Sequence, residues 1–204
     1  MSTPMHAAIT PGRTAVITGG ASGIGLAAAV RFASLGLNVV IADLDTAALR
    51  AAAGRISEAG PGEVLTVQTD VSRKEDVERL KDKAWQAFGG VAVLMNNAGI
   101  GNGGGPFENY EGWQRVLATN LWGVINGVHT FVPAMIAQGT PAAVINTGSK
   151  QGITTPPGDT AYNVSKAGVK VVTEGLQHVL RNTPGCLVSA HLLVPGWVHT
   201  GLTA

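Results

Sequence analysis

Short apolar runs alternate with amphipathic stretches along the chain. Apolar runs of this length, bounded by turn residues, are typical of strands buried on both faces of a parallel sheet. They predict six strands, at Thr14–Thr18, Asn38–Asp43, Val64–Thr69, Val91–Asn96, Ala143–Thr147 and Leu187–Val194. The stretches between them have apolar residues at helical spacing. They predict helices at Ile24–Leu35, Thr46–Ala59, Glu111–Ala137 and Ala161–Arg181, and one more that opens at Ser72.

Residues at the ends of these stretches support the helix boundaries. Gly36 is placed to end the first helix, and Asp45 or Thr46 is placed to cap the second. Ser72 with Glu75 three residues later predicts a capping box. Pro133 predicts a bend in the long fourth helix.

Strands that alternate with helices require right-handed crossovers between parallel neighbours. The predicted fold is therefore an α/β, Rossmann-type doubly wound parallel sheet with helices on both faces. We expect one domain over residues 1–204, with residues 1–12 as an N-terminal tail. The last apolar strand is followed by only ten residues. Because a bare apolar edge promotes aggregation, we expect a longer polypeptide or a partner to cover it.

Composition narrows the classes of partner. Of the 204 residues, 45% are hydrophobic and 13% are charged, and the net charge is +1, so neither nucleic acid nor a membrane surface is an expected partner. The single cysteine, Cys186, and a start that does not resemble a signal peptide favour a cytoplasmic protein. The five histidines show no metal-ligand spacing with carboxylates or Cys186, so no metal site is predicted.

Glycines follow the first strand and open the first helix. Gly19, Gly23 and Gly25 permit the tight turn and close backbone approach that a pyrophosphate needs at a helix N-terminus. Asp43 ends the second strand, where a carboxylate accepts hydrogen bonds from an adenosine ribose and repels a 2′-phosphate. Since neither Ser22 nor Leu44 supplies a compensating cation, NAD is favoured over NADP.

A second group of residues is suited to proton transfer. Tyr162 and Lys166 are four residues apart on a predicted helix, so both lie on one face. An ammonium group about 4 Å away lowers the pKa of a tyrosine by roughly three units before desolvation is counted, which moves Tyr162 towards the range of a general base. Ser149, at the end of the fifth strand, is placed to hold a substrate oxygen.

With these motifs in this order, the chain resembles the short-chain dehydrogenase/reductase family from Thr14 to Thr200. The motifs are TGGASGIG at Thr18–Gly25, Asp43, Asp70-Val71, NNAG at Asn96–Gly99, Asn120, INTGS ending at Ser149, YNVSK at Tyr162–Lys166 and PGWVHT at Pro195–Thr200. The resemblance implies an NAD-dependent oxidoreductase that transfers hydride between a secondary alcohol, or its ketone, and the nicotinamide.

The resemblance also implies residue roles. Tyr162 would be the general acid/base, Ser149 the substrate-oxygen ligand, and Lys166 the group that lowers the tyrosine pKa and binds the nicotinamide ribose. Asn120 would hold a water that connects Lys166 to solvent. The implied cofactor contacts are Gly19, Ser22, Gly23, Ile24, Gly25, Asp43, Asp70, Val71, Asn97, Ala98, Gly99, Tyr162, Lys166, Pro195, Gly196, Val198 and Thr200.

The chain departs from the family pattern at two places, and the second leaves alternatives open. Gly148 stands where many members have a second serine, which we regard as harmless. The family continues beyond the position of Ala204 into a substrate-covering segment and a seventh strand, so the departure concerns the substrate pocket and not the cofactor site. An epimerase or dehydratase that retains NAD, or a non-catalytic NAD-binding module, remains an alternative.

Other positions are less informative. Lys150, Gln151, Ile153, Trp197 and His199 lie near the substrate by position, but packing or solvent contact is the favoured interpretation of each. Trp113 and Trp122, on the long fourth helix, contribute to an apolar face. That face and the one on Ala161–Arg181 predict a homodimer or homotetramer, as the resemblance also implies.

Overall fold

A parallel sheet forms the centre of the structure, which is a computed structural model that describes residues 5–198. Its strands are β1 (Thr14–Thr18), β2 (Asn38–Asp43), β3 (Val64–Gln68), β4 (Val93–Asn96), β5 (Ala142–Thr147) and β6 (Val188–Leu193). They lie in the order β3-β2-β1-β4-β5-β6, all parallel. This order reverses between β1 and β4, the position at which doubly wound sheets bind their ligands.

Helices cover both faces of this sheet. They are α1 (Gly23–Ser34), α2 (Thr46–Ser57), α3 (Lys74–Phe88), α4 (Tyr110–Leu117), α5 (Gly123–Ala137), α6 (Gln151–Thr154) and α7 (Thr160–Asn182), with a π-helical turn at Ala118–Trp122 between α4 and α5. The predicted Rossmann-type architecture is confirmed.

Alternate residues of the central strands supply two separate cores. Ile17 of β1 packs with Phe32 of α1 and Leu49 of α2 on one face. Its neighbour Val16 packs with Leu80 of α3 and Phe131 of α5 on the other face. Both faces of the central strands are buried, which explains their continuous apolar sequence.

Three local expectations differ from the structure. In the described part of the chain, Arg73 precedes α3 without a side-chain capping bond, so the predicted Ser72–Glu75 capping box is wrong. The Ser72 hydroxyl instead donates to the Asp70 carboxylate at 2.6 Å, because that acceptor lies only two residues upstream. The predicted fourth helix is interrupted by the π turn and continues through Pro133.

The third difference concerns the expected N-terminal tail. Ala8 is fully buried in the core on the α1 side of the sheet, and the Gly12 N–H donates to the Gly36 carbonyl. Residues 5–12 therefore pack against the domain. At the other end, β6 pairs with β5 and forms an edge of the described sheet, and what covers that edge stays a prediction.

Candidate active site

The turn between β1 and α1 has the shape of a phosphate cradle. Gly19 and Gly23 have positive φ angles of 62° and 51°. A Cβ on Gly25 would collide with the Gly19 carbonyl oxygen, so only glycine permits this approach of helix to strand. Within residues 5–198, the Ser22 side chain makes no capping bond to α1 and the first turn of α1 holds no acidic residue. The backbone N–H groups in the first turn of α1 therefore fit the binding of a dinucleotide phosphate.

Asp43 lies against this cradle at the carboxyl end of β2. One carboxylate oxygen accepts the N–H of Ala21 at 3.2 Å, and the other accepts the N–H of Leu44 at 2.8 Å. The carboxylate is half-buried and fixed beside the turn. This position fits recognition of a ribose hydroxyl next to the phosphates.

The carboxyl end of β4 closes the other side of the cradle. The Asn97 amide donates to the carbonyls of Thr18 and Gly19, at 3.1 and 3.2 Å, and its oxygen accepts from the Thr147 hydroxyl. A Cβ on Gly19 would lie 2.8 Å from the Cα of Ala98. Asn97 therefore joins the ends of three strands, and its side chain has a structural task in addition to the predicted cofactor contact.

Asp70 and Val71 follow β3 at the same edge of the sheet. Asp70 is half-buried and its carboxylate is occupied by Ser72, whereas Val71 is buried. The Val71 carbonyl accepts from the Asn126 amide of α5, and a Cβ on Gly123 would lie 2.7 Å from the Val71 side chain. Val71 thus packs against α5 while remaining at the edge where an adenine contact was predicted.

Ser149, Tyr162 and Lys166 come together at the carboxyl end of β5. Ser149 is half-buried just beyond β5, and its Oγ accepts the N–H of Gln151 at 3.2 Å. Tyr162 and Lys166 lie one turn apart near the start of α7, and the Lys166 Nζ is 5.6 Å from the centre of the tyrosine ring. The Nζ is buried and donates to the Thr147 carbonyl at 2.8 Å.

Burial dominates the electrostatics of this group. It raises the pKa of Tyr162 above the ordinary value, an effect that the nearby Ser149 hydroxyl opposes and the Asp159 carboxylate increases. Burial also lowers the pKa of Lys166 to about 8. The lowered Tyr162 pKa predicted from the sequence is wrong for this chain. The reason is that desolvation of the phenolate is the largest influence on this pKa, while the Lys166 Nζ donates to the Thr147 carbonyl.

Asn120 lies in the π turn and is fully buried. Its side-chain oxygen accepts the Ile100 N–H at 2.8 Å, and its amide donates to the Ile100 carbonyl and to the Ser165 hydroxyl. A Cβ on Gly99 would lie 3.4 Å from the Asn120 oxygen and 3.5 Å from the Lys166 Nζ. Asn120 is therefore next to Lys166 as expected, but its side chain is committed to the protein, and the predicted water relay stays a prediction.

Residues after β6 reach the same edge. The Pro195 carbonyl accepts the N–H of Lys150 at 3.1 Å, which places Pro195 beside the residue that follows Ser149. Ile153 is 59% exposed and Trp197 is 90% exposed, so neither packs in the domain. Thr200 and His199 lie outside the described residues.

Comparison with known proteins decides the family. The sequence model of the family described as "short chain dehydrogenase" matches residues 13–204. The chain belongs to the short-chain dehydrogenase family. A 1-deoxy-11-beta-hydroxypentalenate dehydrogenase of Streptomyces exfoliatus is 40% identical over 94% of the chain and 71% of its own length. A 3beta-hydroxysteroid dehydrogenase of Eggerthella lenta is 34% identical over 99% and 77%.

The solved structures agree with the sequence comparison. A short-chain dehydrogenase/reductase from Burkholderia phymatum, in complex with NAD, matches with a TM-score of 0.91 and 42% identity over 97% of this chain and 69% of that one. Similar solved structures hold NAD or NADP. This short-chain dehydrogenase is thus an oxidoreductase that uses NAD(P) and interconverts alcohols and ketones.

Two kinds of feature are absent from residues 5–198. None of the helices in that range combines the length and the hydropathy needed to span a bilayer. The same range has no group of three or more histidine, cysteine, aspartate or glutamate side chains that could hold a metal ion.

Sequence reasoning missed some residues of this short-chain dehydrogenase site. Asp159 caps α7 and was not selected, although an aspartate three residues before Tyr162 is a recognisable N-cap signal. The four-residue helix α6 and the Thr147 carbonyl that accepts from Lys166 were also missed. A backbone acceptor carries no side-chain signal, so only the tertiary structure identifies it.

Proposed function

We propose that this short-chain dehydrogenase oxidises a secondary alcohol, or reduces the corresponding ketone, with Tyr162 as general acid/base. The observation that supports this role is the meeting of Ser149, Tyr162 and Lys166 at the strand ends that also carry the phosphate cradle. When bound, the nicotinamide accepts the hydride in oxidation and supplies it in reduction.

Each side chain has a separate task in this proposal. The Ser149 hydroxyl holds the substrate oxygen. In oxidation the Tyr162 phenolate takes the proton of the alcohol, and in reduction the Tyr162 hydroxyl donates its proton to the ketone oxygen. The buried Lys166 ammonium favours the charged form of Tyr162 and binds a ribose hydroxyl. Burial raises the pKa of Tyr162, so the protonated form that reduction needs is favoured at neutral pH, and oxidation is expected to accelerate as the pH rises.

Replacement of Tyr162 tests this mechanism. We expect Tyr162→Phe to lower kcat at least ~10²-fold, the low end for acid–base catalysis, while NAD affinity changes little. The matched control is Tyr110→Phe, which alters the chain's other tyrosine, 73% exposed at the start of α4. Net NADH formation is the readout, because an epimerase or dehydratase returns the hydride. Near-parent turnover by Tyr162→Phe contradicts the proposal.

We infer that the substrate carries its hydroxyl group on a ring system. The names of the Streptomyces and Eggerthella relatives each describe a hydroxyl on a ring compound, a pentalenate and a steroid. The first panel is therefore cyclohexanol, trans-1,2-cyclohexanediol and a 3β-hydroxysteroid, with 2-butanol as the acyclic control. Faster turnover of 2-butanol than of every cyclic alcohol contradicts the inference.

The position of Asp43 supports NAD as the preferred cofactor. Its fixed carboxylate faces the region where a 2′-phosphate would add negative charge. Asp43→Asn keeps the shape and removes the charge, and we expect it to shift the NAD/NADP ratio of kcat/KM about tenfold towards NADP, ~1.4 kcal/mol. Asp45→Asn is the control, since Asp45 caps α2 through Ala47 and Ala48. An unchanged ratio in Asp43→Asn contradicts the assignment.

We also propose a homodimer or homotetramer. Val164, Val171 and Val179 are 43%, 67% and 60% exposed on α7, and Trp122 of the π turn is 56% exposed. A Cβ on Gly175, between two of these valines, would meet nothing within 4 Å, so the backbone there is open to a close neighbour. Exposed apolar side chains at this helical spacing suit packing against the same face of a second copy.

A further inference from the structure

The glycine-rich loop, residues 99–105, is fastened to the start of α7 by one carboxylate. One oxygen of Asp159 accepts the N–H of Tyr162 at 3.1 Å, and the other accepts the N–H of Gly103 at 3.3 Å. The Ala161 N–H adds a bond of 3.4 Å to the Gly104 carbonyl. Two hydrogen bonds therefore join the loop to the start of α7, and the same Asp159 carboxylate also caps the turn that carries Tyr162.

Packing at Gly103 makes this junction tight. Gly103 is buried, and a Cβ there would collide with the Ala161 Cβ and lie 3.1 Å from an Asp159 oxygen. The loop starts at Gly99, which lies beside the Lys166 Nζ and Asn120. One end of the loop thus borders Lys166, and its middle is fixed to the helix turn of Tyr162.

We propose that Asp159 is a positioning residue, which holds the glycine-rich loop against the first turn of α7 and so sets the distance between a bound alcohol and Tyr162. This inference rests on the proposed function. An ordinary N-cap needs only the bond to its own helix. The bond to Gly103, 56 residues away in sequence, goes beyond that need.

Asp45 provides the matched comparison, because it is an ordinary cap. A single oxygen of Asp45 accepts the N–H groups of Ala47 and Ala48, both close to it in sequence. Asp45 and Asp159 thus cap their helices similarly, but only Asp159 also reaches a distant loop through its second oxygen. Substitutions at the two sites separate the loss of a cap from the loss of the loop contact.

Asp159→Ser keeps an N-cap hydroxyl, which is too short to bridge to Gly103. Asp159→Asn keeps one acceptor and turns an N–H₂ group towards the Gly103 N–H. We expect both variants to raise the KM of the best ring alcohol about tenfold, with the NAD dissociation constant within about twofold of the parent value. Asp45→Ser and Asp45→Asn should lower the thermal midpoint of unfolding to a similar extent and leave KM unchanged.

A second measurement does not require turnover. The Asp159 carboxylate raises the pKa of Tyr162, after the larger effects of burial and the opposing Ser149 hydroxyl. The chain has two tyrosines, so phenolate absorbance in a Tyr110→Phe background follows Tyr162 alone. Asp159→Asn should lower the pH midpoint of that titration, and Asp45→Asn should not, which checks that the Asp159 charge lies near Tyr162. Hydrogen exchange at the Gly103 amide measures the loop contact itself, and we expect it to be faster in Asp159→Ser than in the parent and in Asp45→Ser.

The outcomes separate the two proposals. If no alcohol yields NADH, the proposed function fails, and hydrogen exchange at the Gly103 amide decides whether Asp159 holds the loop. If alcohols turn over and the Asp159 variants keep the KM of the Asp45 variants, Asp159 is an ordinary cap and the inference is overturned. A Gly103 amide that exchanges no faster in Asp159→Ser than in the parent also overturns it.

Discussion

Lys166, to which we assign a role in the proposed mechanism, lowers the stability of the fold. Burial lowers its pKa from 10.5 to about 8, so the folded chain binds this proton less tightly than the unfolded chain. The folded state is therefore penalised at every pH below about 8, and the penalty disappears as the pH rises through that value to 10.5. The hydrogen bond to the Thr147 carbonyl offsets part of it.

We expect Lys166→Met to lose activity and to gain stability at neutral pH. The gain has an upper limit on the order of 3 kcal/mol, reduced by about 1 kcal/mol for the lost hydrogen bond. It should shrink between pH 8 and pH 10, where the parent releases its buried proton, as measured by urea unfolding at both pH values. Lys170→Met, an exposed lysine on the same helix, is the control. A difference that is independent of pH contradicts this account.

The site shows which residues a sequence can reveal. The sequence predicts four of the site residues because each lies at the start or the end of an element whose apolar pattern is clear. They are Gly19, Asp43, Ser149 and Tyr162. Their meeting at one edge follows from the parallel order of the strands. The pKa of Tyr162 was predicted in the wrong direction, because burial and the aim of the Lys166 ammonium depend on tertiary packing.

At the scale of elements, the strands were predictable and the irregular helix was not. A strand that is buried on both faces has a continuous apolar sequence, so the sequence alone predicts it. The π turn at Ala118–Trp122 instead accompanies a tertiary contact, since Asn120 pairs with both backbone groups of Ile100, 20 residues away. The capping box failed for a local reason, because Asp70 competed for the Ser72 hydroxyl.

The exposed valines of α7 give a prediction at this scale. Val171→Asp places a charge in the middle of the proposed interface, so we expect the assembly to dissociate into monomers that keep the helical content of the parent. Sedimentation velocity over a range of concentrations measures this. Leu187→Asp is the matched control, because Leu187 is 52% exposed just before β6 and lies outside the α7 face. A parent chain that sediments as a monomer at all concentrations contradicts the interface.

At the scale of the whole molecule, a histidine pair joins the two ends of the described chain. The Ser189 hydroxyl of β6 lies 2.8 Å from the His191 Nε2 and 3.2 Å from the His6 Nε2. The His6 Nδ1 accepts the Ala8 N–H, so neutral His6 donates through its Nε2 to Ser189, which leaves the hydroxyl proton for His191. This chain of bonds fastens residues 5–12 to the edge strand.

The pair should make folding sensitive to mild acid. Burial, and then the charge of His6, lower the pKa of His191, so its neutral form is favoured in the folded state. Stability is full above the ordinary histidine pKa and falls as the pH drops through it, because the unfolded chain takes up the proton first. Asp76, whose pKa is lowered from 3.8, loses its contribution only in stronger acid and does not interfere.

We therefore expect His191→Asn to flatten the fall in the thermal midpoint of unfolding between pH 7 and pH 5. Asparagine keeps an acceptor for Ser189 and cannot be protonated in this range. The control is His129→Asn on the exposed side of α5, which should keep the slope of the parent. If His191→Asn also keeps that slope, the fastening of residues 5–12 to β6 does not depend on a neutral histidine.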